Sequence, residues 1–304
     1  MTDMLNKKTS INTKSGVVKS KTNKFFDLVV VFICLLAIAV CLLPMLNVLA
    51  ISLSSQRAVT NRLVYFLPVD FDLEPYRSVF RDSAMRRALG MTTLLTVVST
   101  VFSMIMTILC AYPLSQKKFV GRVLFSTLVI LTMYFSAGII PDYLNIKRLN
   151  LLDTFWVLVL PGGISVFNMI ILKSFFQNLP DSLKESAELD GASHWTVLTR
   201  IYLPLSTPAL ATIALFYAVG RWNGFQDVRF YISSPNLYTI QFRLYQIIQS
   251  KTTMEASLEG VPIQVATESL RAASIMFATV PILLVYPWLQ RYFVAGVTLG
   301  AVKG

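Results

Sequence analysis

The sequence predicts an all-α membrane protein with six transmembrane helices and both termini in the cytoplasm. Three observations support that class. Hydrophobic residues make up 55% of the 304 and charged residues only 14%, where a soluble domain carries about 25% charged. Six windows contain no Asp, Glu, Lys, Arg or His: 28–56, 88–116, 123–141, 154–172, 201–220 and 272–290. Each reaches the roughly 18–20 residues that cross a ~30 Å hydrocarbon core as a helix. The formal net charge of +11 lies between those windows. A nucleic-acid binder gathers its basic residues on one water-exposed face, so nucleic acid is excluded as a partner. The apolar excess likewise excludes a disordered chain.

Residues 1–24 carry Lys7, Lys8, Lys14, Lys19, Lys21 and Lys24 and no apolar face. They predict a flexible basic cytoplasmic tail ahead of a membrane domain over 25–304. The apolar run from Leu28 to Leu53 is too long for a signal h-region, and Ser52 and Ser54 make a poor cleavage site. An uncleaved first helix follows. The first two windows exceed what a span needs, so the spans are placed nearer 28–52 and 90–112. The third is expected to end near Pro141. Pro44, Pro161, Pro208, Pro281 and Pro287 fall inside windows, which membrane helices tolerate when neighbours satisfy the freed backbone groups.

With the tail inside, the cytoplasmic segments are 1–27, 117–122, 173–200 and 291–304. Residues 57–87, 142–153 and 221–271 are then outside. Lys and Arg split 14 inside to 13 outside, and acidic residues six to ten. The even split of cations decides little. However, Lys117, Lys118 and Arg122 crowd a very short loop, where the positive-inside rule has force. Cys34, Cys41 and Cys110 all lie in apolar windows and behave as small hydrophobes, with no disulfide framework and no metal spacing.

The charge-free spans also limit function. Proton-coupled carriers commonly place an ionisable relay in the membrane, and none is present here, although backbone carbonyls can bind sodium. A single histidine, His194, precludes His-x-x-x-His zinc motifs, and no Gly-x-x-x-x-Gly-Lys-Ser/Thr phosphate loop appears. The chain is therefore expected to be no enzyme and to need no cofactor. Any uphill transport must draw its energy from a partner.

The most informative stretch runs from Pro180 to Pro204. Ser182 and Glu185 have capping-box spacing, and Gly191 suits the left-handed position that closes a helix. Ser193 can cap a second helix in which Trp195, Leu198 and Ile201 share a face. Pro204 then opens the fifth span at a tolerated position. Two short helices at a sharp angle are expected, with Leu183 and Ala187 presenting a small side for close docking. By pattern alone, an ordinary amphipathic connector between two membrane helices explains these residues better.

Their identities add a resemblance. Glu185-Ser186-Ala187, Gly191, and Ile201-x-Leu203-Pro204 resemble the EAA loop of ABC-importer permeases, whose pattern is Glu-Ala-Ala, three residues, Gly, nine residues, Ile-x-Leu-Pro. Ser186 departs from it conservatively, and Asp190-Gly191-Ala192 is similar to the form in carbohydrate-uptake members. Residues 135–145, Arg221-Trp222-Asn223-Gly224-Phe225, Pro235-Asn236-Leu237-Tyr238 and the ending Gly296 to Gly304 resemble the oligosaccharide-importing, maltose-type second permease subunit. The tail resembles nothing that places it.

That resemblance implies a type I importer fold in a bacterial cell membrane and a carbohydrate substrate. It implies as partners a second permease subunit, two ATP-binding cassette ATPases and an external solute-binding protein. It assigns ATPase coupling to Glu185, Ala187, Asp190, Gly191, Ile201, Leu203 and Pro204, within a cytoplasmic loop over 174–203. The C-terminal Lys303-Gly304 would reach the same interface. Outside, a loop over 226–270 would contact the binding protein through Pro235 to Ser257. The helical rhythm of Tyr238, Phe242, Tyr245 and Ile248 equally suits a surface helix. Sugar sites combine aromatic faces with amides and hydroxyls, which makes Arg221, Trp222, Asn223 and Gln226 candidate pathway residues. Tyr134 and Tyr143 fit interface anchors better. Arg221 and Arg229 suit an acidic sugar or, more simply, salt bridges with Asp227. A permease for a non-sugar solute and a non-transporting scaffold are the competing readings.

Overall fold

The computed structural model describes residues 24–135, 137–255 and 267–301, with side chains in the last helix described as far as Val285. The basic tail (apart from Lys24), the segment 256–266 and Lys303-Gly304 lie outside the described residues. The chain is helical almost throughout. In order come α1 (Lys24–Ser52), α2 (Gln56–Thr60), α3 (Glu74–Arg81) and α4 (Ser83–Ser115), then α5 (Arg122–Tyr134), α6 (Ile139–Arg148) and α7 (Val166–Gln177). After them run α8 (Asp181–Leu189), α9 (His194–Val197), α10 (Leu203–Leu205), α11 (Thr207–Asn223), α12 (Gln226–Tyr231), α13 (Ile240–Glu255) and α14 (Glu268–Ala301).

Among the described residues three helices, α1, α4 and α14, are long and apolar enough to cross a membrane. Two bent pairs raise that to five when each counts as one span: α5 with α6, bent by 114°, and the run His194–Leu205 with α11, bent by 82°. The remaining expected span, 154–172, is not one helix. Its first part is a 3₁₀ turn at Phe155–Leu158, and α7 begins only at Val166, capped by Ser165. The cause is Pro161-Gly162-Gly163. Proline cannot continue a helix from the preceding turn, and the two glycines admit a close chain reversal against α4.

Two further boundaries differ from expectation. The third window does not end at Pro141. Its helix stops at Tyr134, Gly138 adopts a positive φ of 90°, and Pro141 then sits in the first turn of α6, where a missing N–H costs nothing. The fifth span opens at Thr207-Pro208 rather than at Pro204. Pro204 instead follows a π-helical turn, Leu198–Tyr202, closed by Leu203 N–H to the Leu198 carbonyl. The wider turn relieves the clash a proline ring makes with the carbonyl four residues back.

α4 is the central helix. It packs on α7 and α11; α11 also packs on α14, and α1 lies along α14. Side chains from Phe26 to Leu46 on α1 are largely exposed, as a helix facing lipid or another subunit requires. Two of the four buried clusters among the described residues position the sites described below. One joins Ala111, Tyr112 and Leu114 of α4 to Met169, Leu172 and Phe176 of α7 and to Val197, Leu198 and Tyr202. The other joins Leu95 to Val157, Leu158, Val228 and Phe242 near the opposite end of α4.

The reversal at Gly163 is tight. A Cβ there would stand 2.7 Å from the Phe102 ring edge and 3.1 Å from the Leu160 carbonyl oxygen. Gly163→Val should therefore destabilise the protein by about 1–3 kcal/mol, the cost of overpacking a filled interior. A lower thermal midpoint of the purified protein in detergent would show it; an unchanged midpoint would refute the packing described.

Candidate coupling and transport sites

The helix–glycine–helix forms as an elbow whose ends are defined by backbone bonds. Gly191 has φ +79°. Its N–H donates to the Glu188 carbonyl at 3.1 Å, and Ala192 N–H donates to the Ala187 carbonyl at 2.9 Å. This pair of bonds is the Schellman closure, which needs a left-handed residue at the glycine position. Ser193 Oγ then accepts from Thr196 N–H at 3.2 Å and starts α9. The capping box expected of Ser182 and Glu185 is not formed. α8 begins one residue earlier, after Pro180, with no side-chain cap, so Ser182 already sits inside the helix. Asp181 in the first turn suits the positive helix end.

Glu185, Asp190, Gly191 and Pro204 are exposed, while Ala187, Ile201 and Leu203 are half-buried against the α4–α7 packing. Trp195 does not share a buried face with Leu198: it is exposed and Leu198 is buried. Beyond Leu198 a π turn, Leu198–Tyr202, replaces the 3.6-residue spacing that would align Ile201 with it. Tyr202 at the end of that turn packs edge-to-face on Tyr112 and Phe176, with ring centroids 5.2 and 5.4 Å away.

The elbow is also tied to the C-terminal end of α4. Lys117 Nζ donates to Asp181 Oδ2 at 2.6 Å, and Lys184 donates to Gln116 Oε1 while lying 3.4 Å from Glu188. These groups line a cleft of about 380 Å³ between the α4–α5 turn and α8. The hydrogen bond and charge of Asp181 raise the Lys117 pKa, and Lys117 lowers that of Asp181. A lowered acid contributes above its ordinary pKa of about 3.9 and loses that contribution as pH falls, and a raised amine contributes below about 10.4 and loses it as pH rises. The tether thus persists across the physiological range. Being exposed, it orients more than it stabilises.

A second cavity, of about 510 Å³, lies between α4, α7 and α11. Ser99 and Ser103 of α4, Ser165 and Asn168 beside and on α7, and Tyr217 of α11 line it. Tyr217 is fixed by Thr107 at 2.6 Å and by Ser165 N–H, which donates to its hydroxyl at 2.9 Å. Ser99 Oγ, at the midpoint of α4, is buried with no protein partner. Arg221 and Asp227 line the same cavity as an ion pair.

The four candidate pathway residues are not brought together. Arg221 alone lines the cavity. Trp222 is buried against α14, its Nε1 donating to the Ala278 carbonyl at 3.2 Å. Asn223 and Gln226 are exposed at the α11–α12 junction. The hydroxyl lining was missed, although Thr92, Thr96, Ser99, Ser103 and Thr107 recur every three or four residues and so share one helix face. Further out, Tyr143 stacks on Tyr231 at 6.2 Å and Tyr134 is exposed. The stretch from Ile240 to Glu255, expected in the 226–270 loop, is the helix α13. It lies on the protein, where Ile240 N–H donates to Thr92 Oγ1 at 2.8 Å.

A bundle of apolar helices, a hydroxyl-lined cavity against its central helix and a capped elbow at one end define a transport subunit. The chain belongs to the family of binding-protein-dependent transport system inner membrane components, which its sequence matches over residues 15–299. It is 39% identical over 284 residues to the polygalacturonan/rhamnogalacturonan transport system permease protein YtcP of Bacillus subtilis (strain 168), covering 93% of this chain and 99% of that one. It is 42% identical over 270 residues to protein LplC of the same organism, covering 88% and 90%. Among solved structures it resembles a chain of a bacterial ABC transporter involved in import of the acidic polysaccharide alginate. That likeness has a TM-score of 0.81 and 31% identity and covers 90% of this chain and 98% of that one.

Asp153 ties its loop to the segment that follows α12. Its carboxylate accepts from the N–H groups of Ser233 and Ser234 at 2.9 and 2.8 Å and from Ser234 Oγ at 2.6 Å, which lowers its pKa. Asp153→Ala should speed hydrogen exchange at the Ser233 and Ser234 amides while leaving α8 amides unchanged. Parental protection at both serines would show that the carboxylate does not hold this segment.

Proposed function

We propose that the chain is the membrane-spanning permease subunit of an ATP-driven importer for an oligosaccharide delivered by a solute-binding protein. The observation that carries this is the vertical arrangement. A rigid elbow packs through Tyr202 on the same two helices, α4 and α7, that wall the polar cavity. The partly unsatisfied hydroxyl lining suits a ligand rich in hydroxyl groups. The functions of YtcP and of the alginate transporter support a polysaccharide-derived substrate. A scaffold would have no use for such a cavity.

In this reading the elbow docks on an ATPase subunit, which supplies the hydrolysis this chain lacks the phosphate loop to perform. Glu185, Asp190 and Gly191 face that partner, and Ala187, Ile201, Leu203 and Pro204 carry its displacement into the bundle. The membrane domain makes six crossings, the sixth assembled from the 155–165 turn with α7, and both termini are cytoplasmic. The short Lys117–Arg122 loop then lies inside, as charge bias favours. A second permease subunit completes the pathway and covers part of the bare α1 surface.

Space around Gly191 is open, so a side chain there is opposed by backbone conformation alone, by roughly 1–2 kcal/mol per left-handed residue. Gly191→Val should let ATP hydrolysis continue in the reconstituted importer while sugar taken up per ATP falls at least about ten-fold, the equivalent of 1.4 kcal/mol. Fully coupled uptake by this variant would contradict the assignment of the elbow.

A further inference from the structure

We propose that Arg221 is the cavity's receptor for a substrate carboxylate and that Asp227 is a built-in carboxylate that occupies it otherwise. The pathway would thereby select acidic oligosaccharides. This rests on reading the cavity as the sugar's route, and adds the residue and the exchange by which charge is recognised.

Among the described residues lining the cavity, Arg221 and Asp227 are the charged ones; the rest are hydroxyl, amide, aromatic or glycine. A neutral sugar needs no guanidinium, and a guanidinium this far out of water, with its side chain 16% exposed, is costly unless paired. The pair is not a decoration of one helix. Arg221 ends α11, whereas Asp227 lies beyond the Gly224 break in the first turn of the short α12.

Asp227 Oδ2 contacts Nη1 alone, at 2.5 Å. Nη2 is turned toward Gly162, where a Cβ would come within 3.0 Å of it. A side chain at position 162 would crowd this second tine, and the Asp227 carboxylate does not engage it. Arginine binds carboxylates best with both tines, and Asp227 uses one. An incoming carboxylate can therefore offer a better bond than the resident one. The exchange keeps the cavity neutral, because one carboxylate replaces another, and Asp227, already 30% exposed, turns toward water. Competition from Asp227 also prevents the substrate from binding too tightly to leave.

The test uses the whole importer, with its partner permease, ATPases and binding protein, in proteoliposomes supplied with trigalacturonate as probe. Arg221→Gln should lower kcat/KM at least about ten-fold, the loss expected for a charge-assisted bond, and Arg221→Lys should recover part of it. Asp227→Asn, which removes the competitor, should lower KM. A mere latch between α11 and α12 would make the Gln and Asn variants equally damaging, and that result overturns the proposal. So does parental uptake by Arg221→Gln, or failure of the parent to carry trigalacturonate. Ser99→Trp, which fills the cavity, separates the two levels: parental uptake there would remove the route itself, whatever Arg221 does.

Discussion

Three aromatic rings, Tyr112, Phe176 and Tyr202, form the joint on which the rest of the molecule depends. Each meets the others edge-on, at interplanar angles of 81°, 87° and 78°. Such contacts contribute roughly 0.5–1.5 kcal/mol beyond the area they bury, and they fix direction as well as distance. Each ring comes from a different element: the C-terminal end of α4, the end of α7 and the π turn after the elbow. Close-packed interiors transmit displacement instead of absorbing it. A push on α8 and α9 therefore reaches both helices that carry the cavity's hydroxyl and amide groups. Without this joint, elbow and cavity would be two unrelated features on one bundle.

The elbow itself is stiff for reasons that are local. Its two turns are closed by backbone bonds at Glu188 and Ala187 and by the Ser193 hydroxyl, and its back is held by Lys117 and Lys184. Those lysines belong to the chain's +11 net charge. Lys117 of the α4–α5 turn and Lys184 of α8 thus use part of that charge to hold the elbow against the end of α4.

Legibility in the sequence followed the physics of each signal. The elbow could be read because one glycine needs a left-handed backbone and one serine caps a helix; both are decided within a few residues. Apolar windows were legible as membrane-facing segments, since absence of charge is a property of composition. Their internal breaks were not. Gly138, Gly162-Gly163 and Ser206 interrupt windows that hydrophobicity treats as uniform, and the bends depend on what packs beside them. Trp222 shows the same limit. An aromatic at a span end suits a sugar face, an interface or a helix contact, and only the Ala278 carbonyl decides among them. The hydroxyl stripe of α4 had the right periodicity, but it gains meaning only once α7 and α11 are known to enclose it.

Coupling of elbow to cavity requires the aromatic joint to transmit motion. The direct measurement is the amount of oligosaccharide translocated per ATP hydrolysed by the reconstituted, fully assembled importer carrying Phe176→Ala. Hydrolysis should continue with a translocation ratio at least about ten-fold lower. A parental ratio in the intact assembly would show that the elbow drives the cavity by some other path.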